Sequence, residues 1–219
     1  MKNLAFCASL IATLAITPSI ANAGFYIGAM VGGGTTELNL TGDDITDSKN
    51  EEGTFTAAVV GGFELPITKY AFLAGEVYID ATNTEFSENT AISRTEVRNN
   101  IQFGLNALIG ANIQPWLQLA GEGTHNVGIY FLAGPHWEYW EDEVSVSSFT
   151  FGGTSFQGFS VSDDRVYTGF QVGFGGRYIF PNSLGIRGEY RFARVERTSN
   201  NVKRETPSHE FGLGITYHF

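Results

Sequence analysis

Phe211-Gly212-Leu213-Gly214-Ile215-Thr216-Tyr217-His218-Phe219, the last nine residues of the sequence, alternate without a break. Phe211, Leu213, Ile215, Tyr217 and Phe219 fall on one face; Gly212, Gly214, Thr216 and His218 fall on the other. A period of two marks a β-strand, because successive side chains point to opposite sides. Chain ends are ordinarily polar and frayed, whereas this one closes on an aromatic ring. The stretch predicts a strand that is held to its final residue.

The pattern recurs along the chain. Phe25, Ile27, Ala29 and Val31 oppose a face that carries Gly28 and Gly32. Val59, Gly61, Phe63 and Leu65 oppose Val60, Gly62 and Glu64, and Ile101 to Ile109 alternates with Asn100, Gln102, Gly104 and Asn106. Phe170, Val172, Phe174, Tyr178 and Phe180 oppose Gln171, Gly173, Gly175 and Arg177; Leu184, Ile186, Tyr190 and Phe192 oppose Gly185, Arg187, Glu189 and Arg191. Helical spacing fits none of these. Two less regular strands, Tyr70–Asp80 and Val127–Trp140, bring the count to eight. Trp116–Glu122 and Phe149–Phe159 leave a count of ten open. Pro66–Lys69 and Pro181–Ser183 read as tight turns, while Thr35–Gly53, Ala81–Thr95, Glu141–Asp164 and Thr198–Pro207 read as long loops. The expected fold class is all-β.

The first residues assign a compartment. Lys2, an apolar run from Leu4 to Ile16, Pro18, and the small-x-small pattern Ala21-Asn22-Ala23 describe a secretory signal peptide over residues 1–23, cleaved before Gly24. Cys7 lies inside the apolar run, not after it, so a lipoprotein anchor is not expected. The mature domain, 24–219, has no cysteine and must be stable without disulfides. It has no apolar run long enough for a membrane helix, so any span is built from strands. The full chain carries a formal net charge of −10, and removing Lys2 leaves the mature part at −11. Such a chain lacks the basic face that nucleic acid requires.

A soluble barrel buries its apolar face, and a membrane barrel reverses the arrangement. Here the polar face is rich in glycine and carries Glu64, Glu76, Glu138, Arg177, Arg187, Glu189, Arg191 and Glu210, an odd ring of charge for a soluble surface. Aromatics on the apolar face, such as Phe25, Phe63, Tyr178, Phe180, Tyr217 and Phe219, sit near strand ends, as in a girdle at the bilayer interface. The expectation is therefore an eight-stranded antiparallel transmembrane β-barrel with the charged face inside.

The stretches "GFYIGAMVGGG", "VVGGFELPITKYAFLAGEVYID" and "GIRGEYRF", in that order and followed by the terminal aromatic, resemble the small outer-membrane β-barrel family that includes the OmpA transmembrane domain and OmpX. The resemblance implies periplasmic termini, short periplasmic turns and long loops at the surface of a bacterial cell. It also implies inward Glu and Arg side chains paired across the lumen, matched here by Glu76, Arg187 and Glu189. In that family a last strand with a terminal aromatic is read by the barrel-assembly machinery, a role that falls on Phe211, Leu213, Ile215, Tyr217 and Phe219.

Eight strands enclose a lumen that side chains just fill, so the inward charges are expected to form a salt-bridged plug. The alternative is a narrow, gated channel for ions or small solutes. The four loops carry −10 between them, a charge suited to solubility or to contact with a host ligand or with cations that bridge lipopolysaccharide. Phe149, Phe151, Phe156 and Phe159 are expected to extend a hairpin beyond the membrane. The leading role is a monomeric structural or surface-interaction protein, without cofactor or catalysis. A lipid A-modifying enzyme would need His209 beside a serine, yet Ser208 and Glu210 turn to the opposite face; His125, His136 and His218 have no serine partner in register. The scattered histidines make no metal cluster.

Overall fold

In a computed structural model the described residues are 24–42, 45–89, 93–113, 126–151, 154–199 and 202–219. Residues 1–23, Trp116–Glu122, His125, Asp43 and Asp44 therefore lie outside them. The eight long strands are β1 (Gly24–Gly42), β2 (Ile45–Pro66), β3 (Ala71–Asn89), β4 (Ser93–Asn112), β5 (Asn126–Val146), β8 (Phe159–Ile179), β9 (Leu184–Ser199) and β10 (Val202–His218). They form one closed antiparallel barrel in the order β1-β10-β9-β8-β5-β4-β3-β2. A hairpin of β6 (Phe149–Phe151) and β7 (Thr154–Phe156) forms a separate small sheet between β5 and β8, as expected of the phenylalanine-rich stretch. The terminal strand is the closing seam: β10 pairs with β1 from Tyr26↔His218 upward, and the Phe219 amide donates to the Phe25 carbonyl at 2.9 Å.

The wall is inverted relative to a soluble barrel. Phe131, Phe211, Leu213 and Ile215 are each about two-thirds exposed, whereas Glu76, Asp80, Glu138, Arg187, Glu189 and Arg191 are buried. Ten residues, as from Phe25 to Thr35, climb about 25 Å at the roughly 40° tilt usual in such barrels, the height of the apolar band a bilayer requires. The turns at Ile67–Tyr70 and Pro181–Ser183 lie at one end of that band. Ser183 takes a left-handed backbone (φ 68°) and the Asn182 side chain accepts from the Leu184 amide at 3.3 Å.

The long connections expected at the other end are largely strand. β1 and β2 stay paired to Gly42↔Ile45, β3 and β4 to Asn89↔Arg94, and β5 and β8 to Val146↔Phe159. Above the apolar band the outward positions become polar, as at Glu37, Glu85 and Glu196. The hydrophobic signal stops there while backbone pairing continues. Two seams do not continue: β2–β3 pairing ends at Thr56↔Thr82, and β8–β9 pairing ends at Gly169↔Val195. Above those levels the barrel divides into two facing four-stranded sheets, β2-β1-β10-β9 and β3-β4-β5-β8. Irregularities in β3–β4 pairing between Ala81 and Thr84, and in β4–β5 pairing between Asn99 and Ile101, lie at the same height, where extra residues bend a strand.

Inside the band, large rings lie over glycines directly opposite them. Tyr26 faces Gly62, Phe72 faces Gly110, Tyr78 faces Gly104 and Tyr130 faces Gly175. A Cβ on Gly175 would stand 2.5 Å from Cζ of Tyr130. The inward glycines are therefore seats for aromatic side chains, a purpose that composition alone does not display. Changing Gly175 to alanine is expected to cost about 1–3 kcal/mol by overpacking, read as a lower midpoint of urea unfolding in micelles. The loss should shrink in a Tyr130→Leu background, and full stability of Gly175→Ala would refute the seating.

Candidate functional site

The period of two that builds the strands also aims one side chain in two at the lumen, so eight strands bring distant charges together at a common height. At the turn end, Arg177 on β8 forms a two-pronged pair with Glu64 on β2, its Nη2 donating to Oε1 at 2.8 Å, and its guanidinium lies 3.9 Å from the Phe72 ring centre. At mid-height Arg187 on β9 bridges Glu76 on β3 and its own neighbour Glu189. Arg191 continues the chain, with Nε to Glu189 and Nη1 to Asp80, both at 2.8 Å. Tyrosines complete the carboxylates: Tyr26 donates to Glu76 and Tyr130 to Glu189, each at 2.9 Å.

Above this, Glu138 on β5 pairs with no arginine among the described residues. It takes His136 Nε2 at 2.9 Å and the Trp140 indole N–H at 2.7 Å, and the other imidazole nitrogen meets the Tyr78 hydroxyl at 2.6 Å. Spacing explains this: residues two apart on one strand point the same way. Glu210 is buried, with one carboxylate oxygen lacking a hydrogen-bond partner among the described residues. Asp80, a lumen acid that the sequence reading did not single out, shares the parity of Glu76 and Tyr78 on β3. Parity would have found it.

The mouth has a second core. Leu38, Phe86, Trp140, Tyr167 and Val195 form one buried apolar cluster, with Leu40 and Val97 against it. These residues come from both outer sheets, so the cluster is the core of the outer sandwich and lies across the lumen axis above the charges. Trp140 is wholly buried and stacks with Phe86 at 6.2 Å between ring centres.

On the outer face of the ribbons, Lys49 pairs with Glu37 at 2.8 Å, and the hydrogen bond from Lys49 holds the Glu37 carboxyl below its usual range. The hydrogen bond from Lys203 does the same for Glu205. These two carboxylates are thus locally neutralised, each exposed pair being worth little, while the ribbons as a whole stay acidic. At the upper rim His209 faces outward against Tyr190, with Nδ1 and the phenol oxygen 2.6 Å apart, while Ser208 and Glu210 are buried on the inner side. The three do not meet. Among the described residues no group of three or more His, Cys, Asp or Glu is placed to hold a metal ion.

No curated protein sequence is significantly similar to this chain. Solved structures with a similar trace include Ail, the attachment invasion locus protein of Yersinia pestis, at 18% identity, covering 88% of this chain and 98% of its own with a TM-score of 0.40. They also include Neisserial surface protein A, at 14% identity over 89% and 97% with a TM-score of 0.42. OprG of Pseudomonas aeruginosa has 9% identity over 90% and 96%, with a TM-score of 0.45. Likeness at this level says nothing of what this chain binds. The family model for the outer membrane protein beta-barrel domain, by contrast, matches residues 4–219, and the chain, with its apolar outer wall and charged lumen, belongs to that family of outer-membrane barrels.

Proposed function

We propose that the protein is a sealed barrel of the bacterial outer membrane with a structural or surface-interaction role, presenting its two outer sheets to the outside and both termini to the periplasm. The observation that supports this reading is a pair of packed side-chain layers inside the barrel. The lattice from Glu76 through Arg187, Glu189 and Arg191 to Asp80 fills it at bilayer depth, and the cluster around Trp140 covers it above. The acid-rich outer ribbons then meet lipopolysaccharide, with bridging cations, and soluble or host ligands. Residues 1–23 serve as the export signal, cleaved at Ala23, and the alternating last strand serves as the address read by the assembly machinery. His209, turned away from Ser208 and Glu210, supports a role without catalysis.

A narrow channel is the second reading. It is favoured by unpartnered buried atoms at one height in the lumen, Oδ1 of Asp80, Nε2 of Gln102 and Oε1 of Glu210, which offer water a foothold. Single-channel recording of the purified protein in planar bilayers separates the two. The expected trace is flat. A steady, ion-selective conductance that changes on Glu76→Gln would overturn the sealed reading.

A further inference from the structure

Above Gly169↔Val195 the edges of β8 and β9 are no longer paired, so the side of the outer sandwich has an unpaired seam, termed the notch. Two arginines face into it. Arg197 on β9 and Arg204 on β10 are direct cross-strand partners on the same face, an arrangement in which like charges repel. Both guanidinium groups lie by the Tyr167 ring, 5.3 and 5.2 Å from its centre, and both donate to its hydroxyl, at 3.5 and 3.3 Å. Arg204 also lies 4.7 Å from the Trp140 ring centre and pairs with Asp142 at 3.1 Å.

The compensation is incomplete. Among the described residues no carboxylate reaches Arg197 within ion-pair distance. Arg204 keeps Nε and Nη2 buried without an acceptor, and among the described residues it is the one arginine with a terminal amino group so placed. A guanidinium resting on an aromatic ring leaves its N–H edge free, and that edge matches the paired oxygens of an oxyanion. Two such edges on neighbouring strands, with one carboxylate held by Arg204 alone against two positive charges, have the net charge of an anion site.

We propose that this notch binds a single oxyanion group, a carboxylate, sulfate or phosphate, gripped by Arg197 and Arg204 over Tyr167 and Trp140. The acidic ribbons around it restrict the occupant. A polyanion meets long-range repulsion from them, whereas one charged group on an otherwise neutral ligand meets little. The site does not depend on a sealed lumen, and conductance and anion binding are measured separately.

The test uses the full mature protein refolded in zwitterionic micelles free of lipopolysaccharide. Arginine Nε–H signals are followed by NMR while sodium phosphate, sulfate or acetate is added at constant ionic strength. Saturable shifts are expected at Arg197 and Arg204 and none at the outward-facing Arg98 and Arg194. Arg197→Gln and Arg204→Gln, each checked for native heat-modifiable mobility, should weaken binding by about tenfold or more, the scale of losing one charge-assisted contact. If a variant does not fold, the contrast between inner and outer arginines in the unmutated protein still decides the matter. A parallel series with lipopolysaccharide added to the micelles identifies the source. Saturation with both free phosphate and lipopolysaccharide assigns a membrane phosphate, and saturation with the free ions alone assigns a soluble ligand. No saturable shift, or equal shifts at Arg98, would overturn the site.

Discussion

Replacing Arg187 with methionine is expected to destabilise the barrel by about 3–5 kcal/mol, the cost of removing one partner from a buried ion cluster. Arg187 holds Glu76 and Glu189 at once, and all three side chains are almost wholly buried. Without it two buried carboxylates lose the guanidinium that lies between them. Tyr26 and Tyr130 still donate to them, and Arg191 still reaches Glu189, so Glu76 bears most of the loss. Adding Glu76→Gln to Arg187→Met should therefore restore much of the stability, because burying a pair and deleting it whole often come out nearly even. Urea unfolding in micelles, followed by tryptophan fluorescence and by the gel shift between folded and unfolded forms, measures both variants. A single-variant loss under about 1 kcal/mol would mean that the lumen is wet enough to screen these charges.

What the sequence displayed, and what it hid, divides along the bilayer. Within the apolar band the chain has one medium outside and another inside, so parity assigns every side chain to a face. Ile215 and Arg187 could be placed from spacing alone, and the same rule covers Asp80. Pairings inside the lumen were less legible, since they depend on register between strands. That Tyr130 seats on Gly175, or that Glu138 takes His136 and Trp140 in place of an arginine, follows from which residues stand opposite and which point the same way. Beyond the band both faces of a strand meet water or a thin core, and the alternation fades. Leu38, Phe86 and Val195 then look like isolated apolar residues in polar stretches. Their meeting depends on four hairpins that hold register well above the membrane. The seams at Thr56↔Thr82 and Gly169↔Val195, which turn barrel into sandwich, have no local sequence signature.

That division predicts how the molecule fails when its outer core is damaged. Trp140→Ala is expected to cost about 3–5 kcal/mol, as for other large-to-small changes at fully buried aromatic positions. The indole fills the centre of the outer sandwich between Phe86 and Tyr167 and supplies the N–H that Glu138 accepts. Because the two outer sheets are not joined by backbone pairing at their seams, the loss should appear as opening of that region and not as unfolding of the whole barrel. Hydrogen exchange should accelerate at Leu38–Leu40 and at Val195–Arg197. The band from Val59 to Phe63 and from Leu213 to Tyr217 should keep its protection, and heat-modifiable mobility should persist. Trp140→Phe retains most of the ring contact but not the N–H, so its difference from Trp140→Ala separates packing from the hydrogen bond to Glu138. If the cluster is the upper seal, the alanine variant should still be non-conducting, since the lattice around Arg187 remains below it. Conductance in Trp140→Ala alone would assign the closure to the apolar core, and uniform loss of protection along every strand would show that barrel and sandwich unfold as one unit.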